Sequence, residues 1–223
     1  MGKESFGISP TAITESAKAI ARLIQEGKEI AVVVGAGNLF RGVSLHALGF
    51  KKTTGDAMGM LATMINGLAL QEALQKEGLK AVLMSSIFCP KVSELFEARA
   101  AISHLEAGAV VICVGGTGNP FFTTDTAAAL RGCELEVDVL LKATKVDGVY
   151  SKDPHKHKDA KRYSNLSYNQ MIDENLQVMD SSAVILCRQN DLPIFVFHME
   201  MLNQPANTWM GNETYGTLVT RKE

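Results

Sequence analysis

Gly115-Gly116-Thr117-Gly118-Asn119-Pro120-Phe121-Phe122-Thr123-Thr124-Asp125 gathers the residue types that hold a phosphate. Glycines let backbone N–H groups approach an anion, threonines offer hydroxyls, and Asp125 stands where a helix would begin. The run before it, Val110-Val111-Ile112-Cys113-Val114, reads as a buried parallel strand, and the residues through Ala129 carry helical spacing. A strand end, a Gly/Thr loop and a helix N-terminus make an anion site because unpaired N–H groups and the helix dipole point the same way. The residues also fit a packed turn around Pro120-Phe121-Phe122, and taken alone the loop leaves both readings open.

Two more loops follow apolar runs. Ile30-Ala31-Val32-Val33-Val34 is apolar without alternation, as in a strand covered on both faces, and it ends in Gly35-Ala36-Gly37-Asn38-Leu39-Phe40-Arg41-Gly42. Val137 to Lys142 reads the same way and runs into Ala143-Thr144-Lys145-Val146-Asp147-Gly148-Val149-Tyr150-Ser151-Lys152-Asp153-Pro154, whose Asp-Gly and Asp-Pro pairs mark turns. The three loops are expected at the carboxyl edge of one sheet, where ligands settle in open α/β folds.

The elements that must position them come from hydrophobic spacing. Ser9-Pro10 supplies a capping hydroxyl and a proline at the first helical position, Ile13, Ala17, Ile20 and Ile24 form one apolar stripe, and Gly27 closes the helix. Asp56 opens a long helical pattern to about Gly78, followed by the strand Ala81–Met84 and a helix from about Glu97 to Ala107. Later helices are expected over Ser167 to Leu176 and, capped by Asp180, from Ser181 to Asn190. Strands follow at Ile194–Phe197 and Gly216–Val219. This alternation predicts parallel crossovers, hence an α/β three-layer αβα sandwich around a mainly parallel sheet. A single domain spanning residues 1–223 is the expected organisation.

Composition narrows the ligand. A net charge of -2 and a pI near 6.2 leave no basic footprint for nucleic acid and no polybasic membrane patch, so local geometry must hold any anion. Cys89, Cys113, Cys133 and Cys187 are scattered without a C-x-x-C pair and read as reduced thiols. His155 and His157 flank Lys156 in a charged stretch that reads as a solvated turn. No apolar run approaches the ~20 residues that span a bilayer, and no signal peptide is evident, so the cytoplasm is the default expectation.

Gly35-x-Gly37 after a strand, with Asp56 about 20 residues on, superficially fits a dinucleotide fingerprint. It fails in detail: the third glycine would fall at Phe40, and Asp56 precedes a helix where it should end a second strand. A nicotinamide enzyme stays as an alternative. No G-x-x-x-x-G-K-[ST] run is present, which excludes a P-loop enzyme.

The runs VVVGAGNLFRG, GDAMGMLATMINGLAL, GGTGNPFFTTDTAAALRGCE, DVLLKATKVDGVYSKDP, VMDSSA and GTLV closely resemble the amino-acid kinase family, in its bacterial uridylate (UMP) kinase branch. The match extends from about Phe6 to Val219 in the family's motif order. The resemblance implies transfer of the γ-phosphoryl of MgATP to UMP, a homohexamer, and GTP and UTP as effectors. It places UMP at Gly35, Ala36 and Asp56 and along Thr117, Gly118, Asn119, Pro120, Phe121, Phe122, Thr123 and Thr124. ATP would lie against Gly37, Arg41, Thr144, Tyr150 and Asp153. Lys142 would stand near the transferring phosphoryl group, with Asp125 and Asp180 orienting the cationic groups; the magnesium ligands stay unassigned.

Each of these residues has a second reading. Arg41 could form a surface salt bridge, Asp56 could be a helix N-cap, Tyr150 could be packing, and Thr123 and Thr124 could cap the following helix. Two departures from the family also stand out. Its opening strand and Lys-x-Ser-Gly turn have no counterpart here, and Ala36 replaces a glycine. Met1 to Gly7 matches the segment after that turn, and the absence of the strand is expected to leave neighbouring backbone groups unpaired. A misplaced translation start or a catalytically impaired nucleotide-binding protein would each account for it. The segment Gly2 to Phe6 falls where the family binds GTP.

Overall fold

The computed structural model describes residues 7–39 and 49–221, in two units, one extending to Ala127 and the other beginning at Ala128. Arg41 and the Gly2 to Phe6 segment lie outside the described residues.

In the first unit, helix α1 (Pro10–Gln25) starts where Ser9 Oγ accepts the Ala12 N–H at 3.4 Å, and it buries Ala17 and Ile20. Strand β1 (Ala31–Val33) leads into the first loop. Helix α2 (Lys52–Lys76) begins four residues before Asp56, so Asp56 sits in its second turn and does not cap it. Then come β2 (Ala81–Ser85), β3 (Glu94–Leu95), α3 (Ala98–Glu106) and β4 (Val110–Val114), followed by α4 (Thr124–Glu134). The sheet order is β1-β4-β2-β3, all parallel, with Ala31 opposite Val111 and Ala81 opposite Val110.

β4 is buried along its whole length, as its unbroken apolar run requires. α2 presses onto β2 and β4 at Gly67: a β-carbon there would stand 2.5 Å from Val114 Cγ1 and 2.7 Å from Leu83 Cδ1. Glycine in mid-helix costs about 0.5–1 kcal/mol, and here it admits the close approach that buries Met64, Leu70 and Leu74 against the sheet. Each such aliphatic burial contributes roughly 1.5–3 kcal/mol. The far side of α2 is also apolar, with Leu61, Ile65 and Leu68 about half exposed along one stripe.

The second unit holds β5 (Leu140–Thr144), β6 (Asn165–Ser167), α5 (Tyr168–Asp173), α6 (Ser181–Gln189), β7 (Ile194–His198), a 3-10 turn (Met199–Asn203), α7 (Ala206–Trp209) and β8 (Gly216–Thr220). Its sheet order is β5-β7-β8-β6, with only the β7–β8 pairing antiparallel. Phe195, Phe197 and Trp209 stack, the last two with ring centroids 4.4 Å apart.

Helices alternating with mainly parallel strands make this an α/β fold. The strands divide into two four-stranded sheets, and one expectation is corrected: β5 takes β7 as its neighbour, Leu140 opposite Ile194 through Thr144 opposite His198, so the loop after β5 leaves a different sheet from the loops after β1 and β4. β1 and β5 stand at sheet edges. Fully buried parallel strands look alike in sequence, and nothing local selects their neighbours. Among the described residues no helix is long and apolar enough to cross a membrane.

Candidate functional site

Two of the expected loops meet in the first unit. β1 and β4 are adjacent and parallel, so the turn after β1 and the loop after β4 leave the same edge side by side. A β-carbon built on Gly35 would lie 3.4 Å from Thr124 Oγ1, which sets the Thr124 side chain against the first turn. The N–H groups of Gly35 and Ala36 take no protein acceptor among the described residues, as an anion-binding turn requires.

The second loop is held at its root by α2 and by the end of β2. The Gly115 N–H donates to Thr63 Oγ1 at 2.7 Å, and that hydroxyl donates to the Met60 carbonyl at 2.7 Å. Gly115 has φ of +77°, and a β-carbon there would stand 2.9 Å from Ser85 Oγ and 3.0 Å from the Ser86 backbone nitrogen, so only glycine fits. Ser86 Oγ donates to the Gly116 carbonyl at 2.7 Å. Further along, the Asn119 N–H donates to Thr117 Oγ1 at 3.2 Å, a local turn within the loop.

Asp56 ties the loop tip to α2. Its Oδ2 accepts the Phe121 N–H at 2.7 Å, while Lys52 Nζ lies 3.0 Å from the same oxygen and 5.6 Å from the Phe121 ring centroid. Partial burial opposes ionisation of Asp56, but the Phe121 N–H and Lys52 outweigh it and hold the carboxyl below its usual range. Phe121 itself has φ of +75°, a left-handed conformation uncommon outside glycine, asparagine and aspartate. Phe121 and Phe122 are 62% and 52% exposed, which rules out the packed-turn reading. Strained backbone and bare aromatic rings at a strand-end loop are what a ligand-covering segment presents.

Thr123 and Thr124 divide the work that either could do. Thr123 Oγ1 accepts the N–H groups of Asp125 at 3.1 Å and Thr126 at 3.3 Å and so caps α4, leaving Thr124 to face Gly35. Asp125 falls in the first turn of α4, where the helix dipole favours a carboxylate.

In the second unit, Lys142 lies in β5 opposite Val196, and Thr144 ends the strand with its hydroxyl donating to the Val146 carbonyl at 2.6 Å. The Tyr150 hydroxyl donates to Asp147 Oδ1 at 2.7 Å; that bond to a carboxylate, with some burial, raises its pKa, and the ring is more than packing. Asp153 Oδ1 accepts the His155 N–H at 3.0 Å, which with Lys156 holds the carboxyl below its usual range. Asp180 Oδ1 accepts the Ala183 N–H at 2.8 Å as the N-cap of α6. His155 and His157 lie in a turn, and among the described residues no three His, Cys, Asp or Glu side chains cluster to hold a metal ion.

Sequence reasoning missed the supports. Asn66, buried on α2, donates to the Gly35 carbonyl at 2.8 Å; its only local signal is an amide amid apolar helical spacing. Lys52, Thr63 and Ser86 carried no signal. Nor did Arg162, whose guanidinium donates to the carbonyls of Asp147, Glu213, Thr214 and Gly216 and pins the Asp147 turn to the start of β8.

The chain is similar to known proteins along nearly its whole length. A uridylate kinase of Xanthomonas oryzae pv. oryzae is 53% identical over 219 residues, covering 98% of this chain and 91% of that protein. One from Protochlamydia amoebophila is 48% identical over 220 residues, covering 98% and 88%. Among solved structures, the UMP kinase of Bacillus anthracis superposes with a TM-score of 0.92 at 33% identity, covering 99% of this chain and 91% of that one. The UMP kinase of Ureaplasma parvum gives 0.91, also at 33% identity, covering 99% and 93%. The model of the amino acid kinase family matches residues 2–198, and with two glycine-bearing loops side by side at the ends of β1 and β4, the chain belongs to that family.

Proposed function

We propose that this chain is a phosphotransferase that moves the γ-phosphoryl group of MgATP to UMP, releasing UDP and ADP for pyrimidine nucleotide synthesis. The observation that carries the reading is about 50% identity to uridylate kinases along essentially the whole chain. The convergence of Gly35 and Thr124 supports it, because that approach sets two loops where they would cradle a phosphate. Residues 1–223 are read as one kinase domain acting in the cytoplasm.

UMP is assigned to Gly35, Ala36, Asp56 and the loop Thr117 to Thr124. The turn would hold the nucleotide's phosphate through N–H groups, and Asp56, both of whose oxygens accept from Lys52, keeps further lone pairs for ribose hydroxyls. ATP is assigned to Gly37, Arg41, Thr144, Tyr150 and Asp153. An acceptor phosphate oxygen is already anionic near pH 7, so the reaction needs no general base. That oxygen bonds to the γ-phosphorus as the bond to the β–γ bridging oxygen breaks, and ADP leaves with that electron pair. Lys142 would neutralise charge on the equatorial oxygens, with Asp125 and Asp180 orienting cationic groups. Magnesium would arrive with ATP, a cation that takes phosphate oxygens and water as ligands.

A homohexamer responding to GTP and UTP completes the reading. The bare apolar stripe Leu61, Ile65 and Leu68 on α2 supports self-association. The test is ADP release by a coupled assay with MgATP and UMP, CMP or AMP. UMP-dependent turnover, with CMP and AMP at least about ten-fold poorer in kcat/KM, is expected. Absence of UMP-dependent ADP would overturn the assignment.

A further inference from the structure

Two asparagines close a ring under the first turn. Asn66 Nδ2 donates to Asn38 Oδ1 at 2.7 Å, and Asn38 Nδ2 donates back to Asn66 Oδ1 at 3.1 Å. Each amide spends its other N–H on a backbone carbonyl: Asn66 on Gly35 at 2.8 Å, Asn38 on Gly7 at 2.9 Å. The Gly7 N–H returns a bond to the Asn38 carbonyl at 3.0 Å. Asn66 is 6% exposed, so a buried amide on α2 has all its donors satisfied by the turn it supports.

The chemistry of the turn explains the need. Gly35 and Ala36 can hold an anion only if their successive N–H groups stay aimed at one point. Glycine-rich backbone does not hold such an arrangement unaided, because each residue has wide conformational freedom to lose. Asn66 fixes the Gly35 carbonyl, and the carbonyl orients the peptide plane that carries the Ala36 N–H. A planar peptide lets a bond on its inner side set the direction of its outer side.

We propose that the Asn66–Asn38 amide pair is the positioning element of this turn, acting through Gly35 to set affinity for the nucleoside monophosphate without touching it. The inference rests on the assignment of UMP to Gly35 and Ala36. Asn66→Ala removes the bonds to both Gly35 and Asn38, whereas Asn38→Ala leaves the Gly35 bond in place.

The test uses the full chain and its Asn66→Ala, Asn38→Ala and doubly substituted variants. Asn66→Ala is expected to raise KM for UMP by about ten-fold or more with kcat within about three-fold. Asn38→Ala should raise it by a smaller factor, and the double variant should match Asn66→Ala within about two-fold because the residues act as one unit. Amide hydrogen exchange at Leu39 and Gly7, whose N–H groups donate to the Ala36 and Asn38 carbonyls of the turn, should accelerate in Asn66→Ala, with the β4 amides unchanged. A melting-temperature loss with unaltered UMP KM and unaltered exchange at the turn would make the pair merely structural and overturn the proposal. Should Asn66→Ala fold poorly, Asn38→Ala decides: KM and exchange equal to wild type overturn it. If the wild-type chain forms no ADP, the kinase assignment fails separately. Equilibrium binding of UMP then decides, and equal affinities in wild type and variants, or no UMP binding at all, overturn the proposal.

Discussion

Asp56 accepts the backbone N–H of Phe121 across 65 residues of sequence, at 2.7 Å, and so joins the second turn of α2 to the tip of the loop after β4. One carboxylate therefore fixes the shape of a loop whose residues are assigned to UMP. Its partners also set its ionisation, so the loop and the charge stand or fall together.

Replacing that carboxylate should separate the two roles. Asp56→Asn keeps an oxygen for Phe121 but loses the attraction to Lys52, and Asp56→Ala loses both. UMP KM is expected to rise about ten-fold for the amide and further for alanine, charge-assisted bonds being roughly twice as strong as neutral ones. Steady-state kinetics at saturating ATP measures it; equal KM values for both variants and wild type would remove Asp56 from the site.

The same group makes a pH prediction. Its folded pKa is depressed below the ordinary 3.8, so the unfolded chain binds the proton more readily. The stabilisation is present above the unfolded value and is lost as pH falls through the folded one. The melting-temperature gap between wild type and Asp56→Asn should be constant from neutral pH to about pH 5 and should close below about pH 4. A gap that widens with acid would contradict the arrangement.

Two glycine substitutions should differ sharply. Gly115→Ala places a methyl 2.9 Å from Ser85 Oγ and 3.0 Å from the Ser86 backbone nitrogen at a φ of +77°, and is expected to cost roughly 2–4 kcal/mol. A β-carbon on Gly37 meets nothing within 4 Å among the described residues, so Gly37→Ala should stay within about 0.5 kcal/mol. Urea unfolding of both proteins provides the comparison.

Asp180 has a visible structural task as the N-cap of α6. Asp180→Asn retains a capping oxygen, whereas Asp180→Ala should lose about 1 kcal/mol. If the carboxylate also orients cationic groups in catalysis, the asparagine variant keeps wild-type stability yet loses at least about ten-fold in kcat. Full activity in Asp180→Asn would leave the cap as its whole role.

On α2, Leu61, Ile65 and Leu68 repeat at helical spacing on the side away from the sheet. Ile65→Glu would place a charge in any subunit contact built there. Light scattering after gel filtration should show wild type as an oligomer and Ile65→Glu as a smaller species; identical masses would move the contact elsewhere.

Local pattern carried much of this protein into view. The Ser9 cap, the stripe on α1, the all-apolar β4 and the Gly/Thr loop before α4 all depend on neighbours a few residues away, and periodicity reports such neighbours. The start of α2 was legible only approximately: Lys51 makes no side-chain cap, so nothing marks a boundary, and Asp56 drew the eye four residues too far.

The amino-acid order by itself determined the α/β class, the loops that carry glycine and threonine, and the kinship those loops advertise. Only the tertiary structure decided that β1 and β4 are neighbours, that β5 belongs to a second sheet, that Thr124 faces Gly35 while Thr123 caps a helix, and that Asn66 grips the turn from below. The reason is one of range. Propensity and hydrophobic period act over a few residues, whereas Asn66 to Gly35 and Asp56 to Phe121 are bonds between distant segments, chosen by how buried strands and helices pack.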